Sequence, residues 1–195
     1  MSRLSTGSTD TQSSEDSQNP RQSQSYLSHM VTPGYRRLQR QIIAKRPSMV
    51  RLDPRLRVTS KNRDVPTLHF GLAFNKAQIM EFAKRHDLLD PDDKGDSPDD
   101  EACRFGTAIF DAQEYFRVHH RIQVFIERPI LPEHGYMFAL YSNHSRRKLA
   151  LVKPAEKRVL DIIRAELGLG EQRALWYWDA QHGPRYRSGI PEFDL

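Results

Sequence analysis

Leu68, Phe70, Leu72 and Phe74 place large apolar side chains at every second position, with smaller or polar residues between them. That period predicts a strand with one buried face. Asn75 follows as an N-cap with Gln78 three residues on, the pattern of a capping box, and Phe74 and Ile79 stand at the positions of a hydrophobic staple. A helix is expected from there to about Leu89, burying Ile79, Phe82 and Ala83. Ser97-Pro98-Asp99-Asp100 opens a second helix: serine at the N-cap, proline at N1, and acids facing the positive end of the helix dipole. Ala102, Phe105, Ile109 and Phe116 carry its apolar face to about Val118. Gly106 inside it weakens the helix by roughly 1 kcal/mol relative to alanine while allowing close packing.

Further along, Ile122, Val124 and Ile126 alternate as a strand that stops at Pro129. Tyr136 to Ser142 and Lys148 to Val152 read as two strands joined by a turn near Asn143-His144-Ser145-Arg146. Pro154 opens a third helix whose inner face is Ala155, Val159, Ile162, Ile163 and Leu167, closed by Gly168 at C′. Ala174, Trp176 and Trp178 make a last alternating strand. The order strand, helix, helix, strand, strand, strand, helix, strand predicts an α+β fold: a mostly antiparallel sheet with three helices packed on one face. A split βαβ plait is one topology consistent with it.

The residues ahead of this domain have a different character. From Met1 to Thr32 nearly every position is polar or glycine, too little apolar surface to offset the entropy of ordering. This accounts for an overall hydrophobic content of 37%, below the roughly 45–50% of globular chains. Tyr35, Leu38 and Ile42 then predict a short helix from Tyr35 to Ala44 that Pro47 ends. The segment from Ser48 to Pro66 is either an arm lying on the domain or a second linker. The expected organisation is a disordered tail (1–32), a basic arm (33–66), an α+β domain (67–179) and an irregular C-terminal tail (180–195).

Charge sharpens that division. Tyr35 to Arg63 holds ten basic residues against the single acid Asp53, a local charge of +9 in a chain of +5, so the remainder sums to −4. Clustered Arg36, Arg37, Arg40, Lys45, Arg46, Arg51, Arg55 and Arg57 are the candidate residues for binding an anionic partner, either an acidic protein surface or nucleic acid. Tyr35 is the only aromatic residue among them, which gives base stacking little support. One cysteine, Cys103, excludes an intrachain disulfide and is expected to be buried and inert. The absence of a signal-peptide core and of a long apolar run predicts a cytoplasmic or nuclear protein without a membrane partner.

Candidate chemistry is sparse. Asp90 to Glu101 approaches calcium-loop spacing, with oxygens at positions 1 and 3, Gly95 at 6 and Glu101 at 12, but Lys94 occupies a ligand position. A solvated acidic turn before a capped helix accounts for the same residues. His119 and His120 adjoin, so they point apart and do not form the i, i+4 pair that holds one ion. Scattered Glu114, His119, Asp179 and His182 could make an enzyme site only by converging in the fold. Trp176 and Trp178 are expected in the core. No catalytic motif, metal set or cofactor fingerprint is present. The chain is expected to be a non-enzymatic binding or adaptor protein acting through its basic arm, with sequence-nonspecific nucleic-acid binding as the alternative.

Overall fold

The computed structural model describes residues 33–89 and 98–180. The expectations for 1–32, 90–97 and 181–195 lie outside them. The chain separates into two compact units, Met1–Arg36 and Arg37–Leu195. Residues 33–36, the described part of the first, form the opening turn of helix α1 (Pro33–Lys45).

Strands β1 (Leu68–Phe74), β2 (Phe125–Glu127), β3 (Tyr136–Ser142) and β4 (Leu175–Trp178) form one sheet in the order β2-β3-β1-β4. All three pairings are antiparallel. It follows that β1 and β2 run parallel with β3 between them, and β3 and β4 run parallel with β1 between them. The order is that of two interlocked split βαβ units. Helices α2 (Lys76–Arg85) and α3 (Pro98–His119) fill the first crossover. Short α4 (Arg146–Leu149) and long α5 (Lys153–Leu167) fill the second.

One face of the sheet carries the large side chains. Phe70 stacks on Tyr141 with ring centroids 5.3 Å apart and meets Trp176 at the same distance, while Phe138 meets Phe74 at 4.8 Å and Phe116 of α3 at 5.4 Å. Helices α2, α3 and α5 cover this face: α2 packs on α3 and α5, α5 on β1, and α3 on β2. The α2 cap forms as its sequence predicts. Asn75 accepts from the Gln78 amide at 3.0 Å, and the Gln78 side chain accepts from the Asn75 amide at 2.9 Å. Ile79, Phe82 and Ala83 are fully buried. Gly168 closes α5 in the left-handed conformation, φ 63°.

The other face is buried as well, where the alternation predicts solvent. Every residue of β1 is buried. Ala73, Met137, Ala139 and Tyr177 form a second cluster with Phe125, Leu131 and Leu175. The reason lies after β2, where the chain turns across to the opposite edge of the sheet. The Ile130 amide donates to Trp178 O at 2.8 Å and the Ala180 amide to Arg128 O at 2.8 Å, so the two edges are tied at one corner. Gly71 serves the same curvature. It stands beside an irregularity in the β1–β3 register, and a Cβ there would lie 2.0 Å from Phe138 O.

Three elements differ from their expected form. Residues Lys148–Val152 do not make a strand, because β2 and β1 already occupy both sides of β3; Arg146–Leu149 coils instead. The strand expected from Ile122 begins only at Phe125, because α3 takes the preceding backbone groups: the Ile122 amide donates to Phe116 O at 3.0 Å, and Gln113 Nε2 to Val124 O at 2.6 Å. Within α5, Leu160, Ile163 and Leu167 are buried, while Ala155, Val159 and Ile162 are only partly covered. Two smaller expectations also change. An added Cβ at Gly106 would meet no atom of the described residues within 4 Å, so that glycine makes no close packing with them, and Cys103 is exposed.

Residues 46–66 lie on the domain. Met49 and Trp176 exchange both backbone hydrogen bonds, at 3.0 and 2.8 Å, which covers the outer edge of β4. Leu52, Leu56 and Val65 are buried. Buried Asn143 joins this segment to the sheet: its Nδ2 donates to Leu56 O and Pro66 O, both at 2.9 Å, and its Oδ1 accepts from the Leu68 amide at 3.0 Å.

Candidate functional site

The basic residues divide into held and displayed groups. Asp53 caps the 3-10 turn Pro54–Leu56 and pairs with Arg55 at 2.8 Å. The Arg55 guanidinium holds that carboxyl below its ordinary range by side-chain hydrogen bonding. Arg46 is partly buried; its carbonyl accepts from Trp178 Nε1 at 3.0 Å, and its guanidinium lies 6.0 Å from the centre of that ring. Arg36, Arg37, Arg40 and Lys45 are exposed along α1, and Arg51, Arg57, Lys61 and Arg63 are exposed along the segment that follows. None of those eight makes an ion pair with another described residue. From Arg37 onward the cations stand on backbone anchored by Ile42, Leu52, Leu56 and the Met49–Trp176 bridge.

A polar cluster that the strand pattern does not reveal sits on the small-residue face of the sheet. His69 lies directly opposite Tyr177 in the β1–β4 ladder, and Asp179 is two residues past Tyr177, so both side chains share one face. His69 Nε2 lies 2.9 Å from Asp179 Oδ2 and 3.6 Å from Glu127 Oε2. His69 and Asp179 are buried, and Glu127 is 32% exposed at its side chain. This donor set could hold a divalent metal, since ligands at about 2.0–2.1 Å from a tetrahedral ion stand roughly 3.3 Å apart. A proton shared between imidazole and carboxylate fits the same distances. The nitrogen facing both acids is Nε2. In sequence His69 reads as an outward strand position, and only burial of both sheet faces exposes its role.

A second junction gathers the C-terminal ends of α2, α3 and α5. Glu166 accepts from His86 Nε2 at 2.9 Å and His120 Nε2 at 2.8 Å, and Arg85 donates to the Glu166 carbonyl. Tyr115 packs against His86, His119 and His120 with centroids 4.3, 4.4 and 5.7 Å away. Burial, and then the Glu166 charge, push its phenol above the ordinary value. The ends of α2 and α3 thus present His86 and His120 to the one carboxylate that α5 supplies, while Arg85 caps the last turn of α5 through the Glu166 carbonyl.

The described members of the scattered acid–base set do not converge. Glu114 pairs with Arg117 on the exposed side of α3, His119 stacks on Tyr115, and Asp179 binds His69. Among the described residues the group with converging metal-ligating atoms is His69, Glu127 and Asp179. His182 lies outside the described residues, as do positions 90–97 of the calcium-like loop. Glu101, its expected bidentate ligand, pairs with Lys76 at 2.7 Å. Among the described residues no helix is long and apolar enough to cross a membrane. Comparison with known proteins found no matching family model, no matching curated protein and no matching solved structure.

Proposed function

We propose that the chain is a non-enzymatic binding protein whose segment from Arg37 to Arg63 engages an acidic protein surface. The observation that carries this reading is the set of exposed cations, Arg37, Arg40, Lys45, Arg51, Arg57, Lys61 and Arg63, without an ion pair among the described residues. Anchoring on β4 favours it further, because charges fixed on a folded body lose less freedom on binding than charges on a loose chain. The field of such a strip raises the rate of encounter with an anion more than it strengthens the final complex.

The test uses the full chain with polyglutamate as the acidic probe and a generic DNA duplex as the competing one. Association with polyglutamate is expected to slow as salt rises, because the Debye length is about 10 Å at 0.1 M. Joint reversal of Arg37, Arg40, Lys45, Arg51 and Arg57 to glutamate is expected to slow it about tenfold or more. Association that ignores both salt and charge reversal would defeat the proposal. Tighter, equally salt-dependent binding to the duplex would replace it with the nucleic-acid reading.

A further inference from the structure

We infer that the groove between α5 and the β2–β3 edge is a binding site for a small amphipathic anion, an alkyl chain carrying a carboxylate. The groove has a volume of about 570 Å³, within the roughly 300–1,000 Å³ of small-molecule sites. Buried Ile122 and Leu140 contribute to its lining together with Val159 and Ile162 of α5. Val159 and Ile162 belong to the apolar stripe that periodicity assigns to the core. The fold buries Ile163 and Leu167 of that face together with Leu160 and leaves Val159 and Ile162 only partly covered. Leu151, 43% exposed, extends the same apolar lining.

Charge decides what could occupy it. Among the described residues Arg121, Lys148 and Arg158 line the groove, and no aspartate or glutamate does. These three cations are exposed and make no ion pair with another described residue. His120, the remaining basic group in the lining, is already turned to Glu166 at 2.8 Å. They come from separate elements. Arg121 is held at φ 55° in the left-handed turn that ends α3, Lys148 sits on α4 and Arg158 on α5. A neutral apolar ligand would leave those charges unanswered, and an inorganic anion would leave the apolar lining wet. A chain with a carboxylate head satisfies both, with arginine able to take the head bidentately.

The full chain is titrated calorimetrically with octanoate, decanoate and dodecanoate below their micelle concentrations, and with dodecanol and inorganic phosphate. Affinity is expected to rise roughly two- to fourfold per added methylene. Dodecanol and phosphate are expected to bind about tenfold more weakly than dodecanoate, or worse. Arg158→Glu and Lys148→Glu change exposed side chains and should keep the native circular dichroism while weakening dodecanoate about tenfold. Ala155→Phe, which narrows the groove and leaves its cations in place, should also abolish the chain-length dependence. Absence of binding, affinity independent of chain length, or affinity unchanged by both charge reversals overturns the inference. So does binding only to phosphatidylglycerol vesicles, which would mean that the cations read a membrane surface. None of these variants touches residues 37–63, so failure here is distinct from failure of the proposed acidic partner.

Discussion

At the scale of single residues, two positions take their identity from contacts that no local pattern carries. Gly71 reads as a small residue on the outward face of a strand, yet the Phe138 carbonyl oxygen occupies the space where a side chain would begin, 2.0 Å from an ideal Cβ. Because that atom is backbone in the adjacent strand, relief requires separating β1 from β3. Gly71→Ala is expected to cost about 3 kcal/mol or more, measured by urea denaturation. A loss below about 0.5 kcal/mol, the level of an ordinary surface change, would mean the register irregularity absorbs a methyl group. His134 differs in kind. Its Nδ1 is buried without a hydrogen-bond partner among the described residues, and burial holds its pKa below the ordinary 6.5 against a smaller opposing pull from Glu133. The unfolded chain therefore takes up a proton near pH 6.5, before the folded one does. Stability from this residue is steady above that pH and falls as the pH drops from there toward the folded value. Wild type is expected to lose more stability between about pH 7.5 and 5.5 than His134→Gln does. Equal losses in the two would remove His134 as the cause.

At the scale of elements, sequence and fold agree where one local pattern has one outcome. The Asn75–Gln78 box, the burial of Ile79, Phe82 and Ala83, the strand from Leu68 and the glycine stop at Gly168 all follow from interactions within a few residues. They are legible because capping, staples and period-2 alternation are short-range. Elements whose form depends on a distant partner are not. Leu149 and Leu151 alternate as a strand would, but β3 has no free side to receive it. Ile122 and Val124 alternate too, but α3 has taken the backbone groups a ladder would use. Helix α5 shows the same limit in its packing. Its apolar residues span a wider arc than one contact needs, and tertiary packing chooses Leu160, Ile163 and Leu167 over the Ala155–Val159–Ile162 stripe. The basic residues of the candidate site were legible as a composition. The division into held Arg46 and Arg55 and displayed Arg37, Arg40, Lys45, Arg51 and Arg57 was not, because it depends on Asp53 and Trp178. The His69–Glu127–Asp179 cluster joins positions 110 residues apart at its widest hydrogen bond, beyond the reach of any spacing rule.

At the scale of the whole molecule, the question is whether the basic segment and the α+β body are one cooperative unit. Charge suggests a boundary near Pro66, with a cationic piece before it and a mildly anionic body after it. The contacts run across that line. Leu52 and Leu56 enter the core, Met49 pairs with Trp176, and Trp178 Nε1 donates to Arg46 O. Asn143 is the pivot. Its amide group satisfies two carbonyls of the basic segment, Leu56 O and Pro66 O, and the first amide of β1, Leu68. An alanine there leaves these groups without their partner in a dry setting, and each such loss costs about 1–3 kcal/mol. Asn143→Ala is therefore expected to lower global stability by about 3 kcal/mol or more. Asn143→Asp should not rescue it, because a carboxylate has no N–H to give Leu56 and Pro66. The tryptophans report on the junction directly, since both touch the basic segment through Met49 and Arg46. If the two parts fold as one, tryptophan fluorescence and far-ultraviolet circular dichroism move together in urea, in the variant as in the wild type. An earlier fluorescence transition in Asn143→Ala would show the segment unlatching alone. The anchored display of cations would then be a separable latch, and the proposed partner would meet an arm that is ordered only while Asn143 holds it.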